Sequence, residues 1–250
     1  SVSYGDDRIG QDVLVVSGTA TFNDKNAATG KTVTANGLAL TGTDAGNYEL
    51  ASTTATTQAD IDKATLTATI TAQNKIYDGN TSASVSYGDD RIGQDVLVVS
   101  GTATFSDKNA GSNKTVIVNG LTLSGADAGN YVLAATTATD TADISKAQAI
   151  VTANSLNTVY NGQNQTASGF SATGLVNGED SSVLTGVTAS VTAKDAGSYT
   201  NKANGVDKNY DLTFVDGALD IAKAKATITA NSLNTVYNGQ NQTASGFSAT

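Results

Sequence analysis

Acidic side chains are the first residues in this chain that could do chemistry. Asp89 and Asp90 are adjacent, and Asp6 and Asp7 repeat them upstream. Paired carboxylates can ligate calcium, yet calcium takes roughly six to eight oxygens and each pair supplies two residues. The ligand count favours a solvated turn and no metal site. Glycosidase chemistry needs two carboxyls facing each other across a cleft, and the acids here fall mostly in turn-like segments. Thr65, Thr67, Thr69 and Thr71 alternate with Leu66, Ala68 and Ile70. Such a hydroxyl row could meet ice or sugar, but it is also the polar face of any half-buried strand. Tyr77, Tyr160 and Tyr237 each precede an Asp-Gly or Asn-Gly step. Exposed, they could stack on sugar rings; the commoner role is to cap a core with the hydroxyl in water. Asn80, Asn113, Asn164 and Asn241 begin Asn-x-Ser/Thr triplets, which chance explains in a chain this rich in Asn and Thr.

The absent residue types narrow the field further. The 250 residues contain no His, Cys, Met, Trp or Pro. Imidazole, the usual base near neutral pH, is therefore missing, as are thiolate chemistry, disulfides and Cys-ligated zinc. No catalytic, cofactor-binding or metal residue is assigned, and an enzyme is not expected. The net charge is -9 with no basic run, which disfavours nucleic acid and anionic membrane as partners. No apolar run approaches the roughly 20 residues of a membrane helix. With neither an initiator Met nor a signal segment in view, the chain reads as an internal stretch of a longer protein.

Positioning falls to a repeated framework. Residues 1–22 recur unchanged at 84–105, and across an offset of 83 positions 1–62 match 84–145 at 48 of 62 sites. At an offset of 77, residues 223–250 match 146–173 at 25 of 28. Lys-Ala opens a unit at Lys63, Lys146 and Lys223, and Ile61, Ile144 and Ile221 close one. Between them recur a Gly-x-Asp motif (Asp12, Asp95, Asp180) and an Asn-Tyr-x-Leu motif (Tyr48, Tyr131, Tyr210). The expected organisation is a partial repeat at 1–62, complete repeats at 63–145 and 146–222, and an opening hairpin at 223–250. Near-identity of neighbours implies recent duplication.

Within 63–145 the pattern is period two, broken by turn residues every eight to twelve positions. Strands are expected at 65–72, 82–87, 96–105, 115–123, 130–135 and 139–144, with a hairpin turn at Asp78-Gly79 and a loop at 88–90. Gly101 marks a bulge and Asn119-Gly120 a kink. The fold class is all-β: tandem antiparallel sandwiches, immunoglobulin-like or Greek-key, forming an elongated rod. Tyr131 and Tyr199, each after Asp-Ala-Gly, suit the tyrosine corner of such sandwiches, with Leu50 and Leu133 as aliphatic plugs two residues past Tyr48 and Tyr131.

Residues 63–145, with Ile76-Tyr77-Asp78-Gly79, Ala126-Asp127-Ala128-Gly129-Asn130-Tyr131 and Ala142-Asp143-Ile144, resemble a YDG domain, and 1–62 resemble the same family. Residues 146–222, with Gly174-Leu175, Ala196-Gly197-Ser198-Tyr199 and Asn209-Tyr210, are similar to an MBG domain. The resemblance implies β-rich stalk modules of large, filamentous-haemagglutinin-like bacterial adhesins, exported to the cell surface or medium, with no catalytic residues to carry over. Neighbouring repeats are the expected partners. The alternative role is weak, multivalent binding of host or matrix glycans. Residues 1–62 and 223–250 are complementary halves of one repeat, and a window cut from a longer chain is the favoured account over completion by another copy.

Overall fold

The computed structural model describes residues 3–250, and nearly all of its regular structure is β-strand. Helical turns among these residues are limited to three 3-10 turns, Ala45–Asn47, Ala128–Asn130 and Ser181–Val183. Period two explains the strands. In Ala147–Ala153, residues Ala147, Ala149, Val151 and Ala153 are buried while Gln148, Ile150 and Thr152 are exposed. One face thus enters a core and the other meets solvent. No helix is long and apolar enough to cross a membrane among the described residues.

Contacts divide the chain into two compact units. One comprises Ser1–Gln73, Thr81–Ser106 and Asn113–Ala142; the other comprises Asn74–Asn80, Asp107–Ser112 and Asp143–Thr250. In the first unit, Ala28–Thr41 pairs antiparallel with Val15–Phe22 and with Ala55–Ile61. Ala68–Ala72 pairs antiparallel with Val85–Asp89, whereas Ala64–Leu66 pairs parallel with Tyr131–Leu133. The core of the second repeat gathers Leu66, Leu97, Val99, Val118, Leu121 and Tyr131. Fully burying each such aliphatic side chain stabilises the fold by about 1.5–3 kcal/mol.

The second unit places Ala147–Ala153 between Phe170–Thr173, antiparallel, and Tyr210–Val215, parallel. Gly217–Ala222 likewise lies between Gly197–Asn201, antiparallel, and Leu156–Val159, parallel. Val187–Ala193 is flanked by Gln165–Ser168 and Ala203–Gly205. These are sandwich-like units, but their sheets are mixed, because each opening strand lies parallel to a strand near the end of its own repeat.

Three local expectations are revised. The strand at 65–72 is two strands, broken at Thr67, whose N–H donates to Asp90 Oδ1 at 2.7 Å. That break lets one segment serve two pairings. Asp78-Gly79 joins no hairpin. Gly79 has the positive φ of 78°, but Lys75–Ile76 pairs parallel with Ile144 and Ser145 on the far side of the repeat. Strand Val85–Asp89 runs into the expected 88–90 loop, because Gly88 and Asp89 still pair with Ala68–Ala72. The bulge and the kink coincide: the register between Val98–Phe105 and Gly111–Ser124 shifts between Ser100 and Thr102, opposite Gly120 at φ 64°.

Candidate functional site

The densest polar clusters sit where consecutive sequence repeats meet, one wholly inside each unit. In the second unit, Glu179 accepts hydrogen bonds from Tyr77 Oη to Oε1 and from Tyr210 Oη to Oε2, both at 2.7 Å. Lys108 Nζ donates to Oε1 at 3.1 Å. The two phenol rings meet edge to face, with centroids 5.4 Å apart at 82°. A cavity of about 140 Å³ lies among Tyr77, Lys108, Glu179, Val183, Asp207, Asn209 and Tyr210. Beside it, the Ala110 N–H donates to Asn209 Oδ1 at 3.0 Å, and Asn209 Nδ2 donates to Asn109 Oδ1.

The first unit contains the same joint one repeat earlier. Tyr131 Oη donates to Asp95 Oδ2 at 2.7 Å, and Lys25 Nζ donates to Asp95 Oδ1 at 3.2 Å. The Ala27 N–H donates to Asn130 Oδ1 at 2.9 Å, and Asn130 Nδ2 donates to Asn26 Oδ1. An Asp-Lys-Asn-Ala turn, at 24–27 or 107–110, therefore engages the acid and the Asn-Tyr pair of the repeat that follows. Within a single repeat the acid–tyrosine half is already built: Tyr48 Oη donates to Asp12 Oδ2 and accepts from the Ile9 N–H.

Local geometry positions each member. Ile92 N–H and Val176 N–H each donate to the phenol oxygen, of Tyr131 and Tyr210 respectively, which orients the O–H toward the carboxylate. Burial alone would raise the Glu179 carboxyl, but the two phenols and Lys108 together hold it below its ordinary value. The bond from Tyr131, then Lys25, lowers Asp95. Burial, opposed by the Val176 N–H and reinforced by Glu179, pushes Tyr210 up to about 12. The joints thus hold a charged carboxylate, neutral phenols and an ammonium near neutral pH. At Glu179 both phenols and the ammonium donate to the one carboxylate, an arrangement that fastens one repeat to the next.

The sequence motifs are reassigned accordingly. Glu179, and not Asp180, stands where Asp95 and Asp12 stand; Asp180 instead caps the 3-10 turn by accepting from the Ser182 N–H. Tyr77 is not a hydroxyl-in-water cap, because it is 2% exposed and bonded to Glu179. Tyr160 and Tyr237 are 38% and 90% exposed. Asp89 is paired with the Arg91 guanidinium at 2.5 Å and Asp6 with Arg8 at 2.6 Å, so these carboxylates face internal partners. Among the described residues no cluster of three potential metal ligands occurs. The four threonines are exposed, but the break at Thr67 divides them between two pairings. Asn80, Asn113, Asn164 and Asn241 are all exposed. Tyr199 Oη does bond backbone four residues upstream, at Asp195 O. Tyr131 makes no such corner, its hydroxyl being taken by the joint.

An all-β array of duplicated modules, fastened to one another by recurring side chains, defines a protein of tandem β-repeats. The chain belongs to the YDG domain family, whose model matches residues 2–56 and 62–139, together more than half of it. It also contains an MBG domain of the YGX type, matched over residues 149–220. No curated protein matches the chain, and no solved structure does.

Proposed function

We propose that this chain is a non-catalytic spacer within an exported, cell-surface or secreted bacterial adhesin or matrix protein, holding a binding element away from the cell. Repeats 63–145 and 146–222 are its structural units, with 1–62 and 223–250 as parts of further ones. The supporting observation is the joint itself. A carboxylate in one repeat accepts a hydrogen bond from a lysine of the repeat before it, and the same contact recurs at both junctions. Backbone bonds from Ala27 and Ala110 add a second fixed point, and no Gly/Ser or Pro linker intervenes to act as a hinge. A spacer benefits from this, since a stiff joint converts repeat number into reach. Small-angle scattering on the full chain tests it. A compact 250-residue globule has a radius of gyration of about 18 Å, and the spacer reading expects a value well above that. A value near it, or a profile needing many bent conformers, refutes the reading. Selective retention on a glycan array would move the role from spacing to binding.

A further inference from the structure

We propose that the Tyr77-Asp78-Gly79 step is an interaction surface that receives the acid turn of whichever repeat follows, with Gly79 keeping it open to the turns of both module types.

Strand direction explains where the step lies. Lys75–Ile76 runs parallel to Ile144 and Ser145, and the Tyr77 N–H donates to Ser145 O at 2.8 Å. Parallel pairing carries 77–79 to the end of the repeat at which its closing strand leaves, where Lys146 opens the next repeat. An antiparallel segment would have left the step at the opposite end. The third repeat is built the same way. Leu156–Val159 runs parallel to residues 219–222, and the Tyr160 N–H donates to Ala222 O at 2.9 Å.

The three residues of the step divide their roles. Asp78 turns back to its own repeat: Oδ1 accepts from Lys75 Nζ at 2.7 Å and from the Asn80 N–H at 3.1 Å. Asn161 and Asn238 accept likewise from the Gln163 and Gln240 N–H groups, so Asp or Asn serves in the middle. Tyr77 and Gly79, both buried, meet the following repeat. Tyr77 Oη donates to Glu179, and the Gly79 carbonyl accepts from Asn177 Nδ2 at 3.3 Å. Asn177 and Glu179 belong to one turn, residues 176–179, which the Glu179 N–H closes on Val176 O at 3.0 Å. The step therefore grips that turn at two points.

The fit at Gly79 is close. A Cβ there would stand 2.7 Å from Asn177 Cβ, well inside the roughly 3.5 Å of ordinary carbon contact. In the YDG repeats the same turn, at 9–12 and 92–95, has Gly10 and Gly93 in the place of Asn177, at φ 61° and 60° against 55°. Such a turn has no side chain to set over position 79. Glycine at 79 thus admits both kinds of turn, and a larger residue would select the glycine-bearing kind. This inference rests on the reading of the joints as the fixed points of a spacer and adds what seats in them.

Hydrogen exchange by NMR on the full chain tests it with Gly79→Ala, Asn177→Gly and their combination. The Ala110 N–H, which donates to Asn209 Oδ1 across the joint, reports joint opening. The amides of Ala147–Ala153, central in their sheet, report the repeat itself. Gly79→Ala should speed exchange at Ala110 about thirtyfold, through left-handed strain and the clash together, and leave 147–153 unchanged. In the Asn177→Gly background only the strain remains, and the same change should speed exchange about fivefold. Equal effects in the two backgrounds would mean strain without docking and would overturn the proposal. An unchanged Ala110, or equal acceleration at 147–153, would overturn it as well. If Gly79→Ala alone fails to fold, recovery of the fold by Asn177→Gly supports the proposal and its absence overturns it. Scattering on the unaltered chain judges the spacer reading by itself, so either can fail without the other.

Discussion

Removing one phenol from the second joint tests whether Glu179 organises it. Tyr77→Phe deletes a single 2.7 Å bond to a carboxylate and leaves the edge-to-face ring contact in place. Hydrogen bonds to charged groups contribute about 1.5–3 kcal/mol. Glu179 keeps Tyr210 and Lys108, so the expected loss lies at the lower end, about 1.5–2 kcal/mol. Glu179→Gln keeps the shape and neutralises the acceptor for both phenols, with an expected loss of about 1–3 kcal/mol. The two changes act on one bond, and the double variant should fall short of their sum by about 1 kcal/mol. Urea denaturation read by tyrosine fluorescence measures all four species, with Tyr160→Phe as an exposed control. Linkage gives a second readout. The Glu179 pKa is depressed on folding from its ordinary 4.5. Its contribution is therefore present above the unfolded value and lost as pH falls through the folded one. Stability should drop below about pH 4.5, and less steeply in Glu179→Gln. Additivity of the two variants within about 0.3 kcal/mol, or an unchanged acid limb, would refute the reasoning.

Two further predictions concern the second repeat. Leu66→Ala removes a fully buried side chain from the core it shares with Val118 and Tyr131, and should cost about 2–5 kcal/mol by urea denaturation; a loss under about 1 kcal/mol would mean the opening strand is not integral to that core. Gly125→Ala should cost about 1–3 kcal/mol, because φ is 113° and a Cβ would stand 2.3 Å from the Val96 carbonyl oxygen. Gly120→Ala, at φ 64° with nothing within 4 Å, should cost less, and the reverse order would contradict the close approach.

Much of the fold was legible because strand period and turn chemistry are local. Alternation around Leu66, Val116 and Val118 marked buried faces, and Gly101 marked a register shift that pairing confirms. Parallel pairing was not legible, since nothing in 64–66 alone distinguishes a neighbour running either way. Asp78-Gly79 misled for a related reason: the dipeptide sets a positive φ, while strand pairing depends on residues some 70 positions away. The joints were half visible. Gly-x-Asp and Asn-Tyr were both recognised as recurring, but their meeting is a tertiary fact. Aligning Asp180 with Asp95 by residue type hid Glu179, whose extra methylene still reaches the same phenol. A usable signal existed in the Asp-Lys-Asn-Ala turn at 24–27 and 107–110, which supplies the lysine that each acid pairs with.

Each joint draws its lysine turn from one repeat and its acid, asparagine and tyrosine from the next. A duplicated stretch of DNA spanning one whole period copies both halves at once, wherever within the repeat the break falls. Copies inserted in this way meet their neighbours through contacts that already exist, so unequal crossing-over can lengthen or shorten the array without any new interface having to evolve. The substitution of Glu179 for aspartate extends this tolerance across module types, since a YDG turn closes on an MBG acid as it does on its own. Near-identical neighbours are, on this view, what a protein selected for adjustable length would retain.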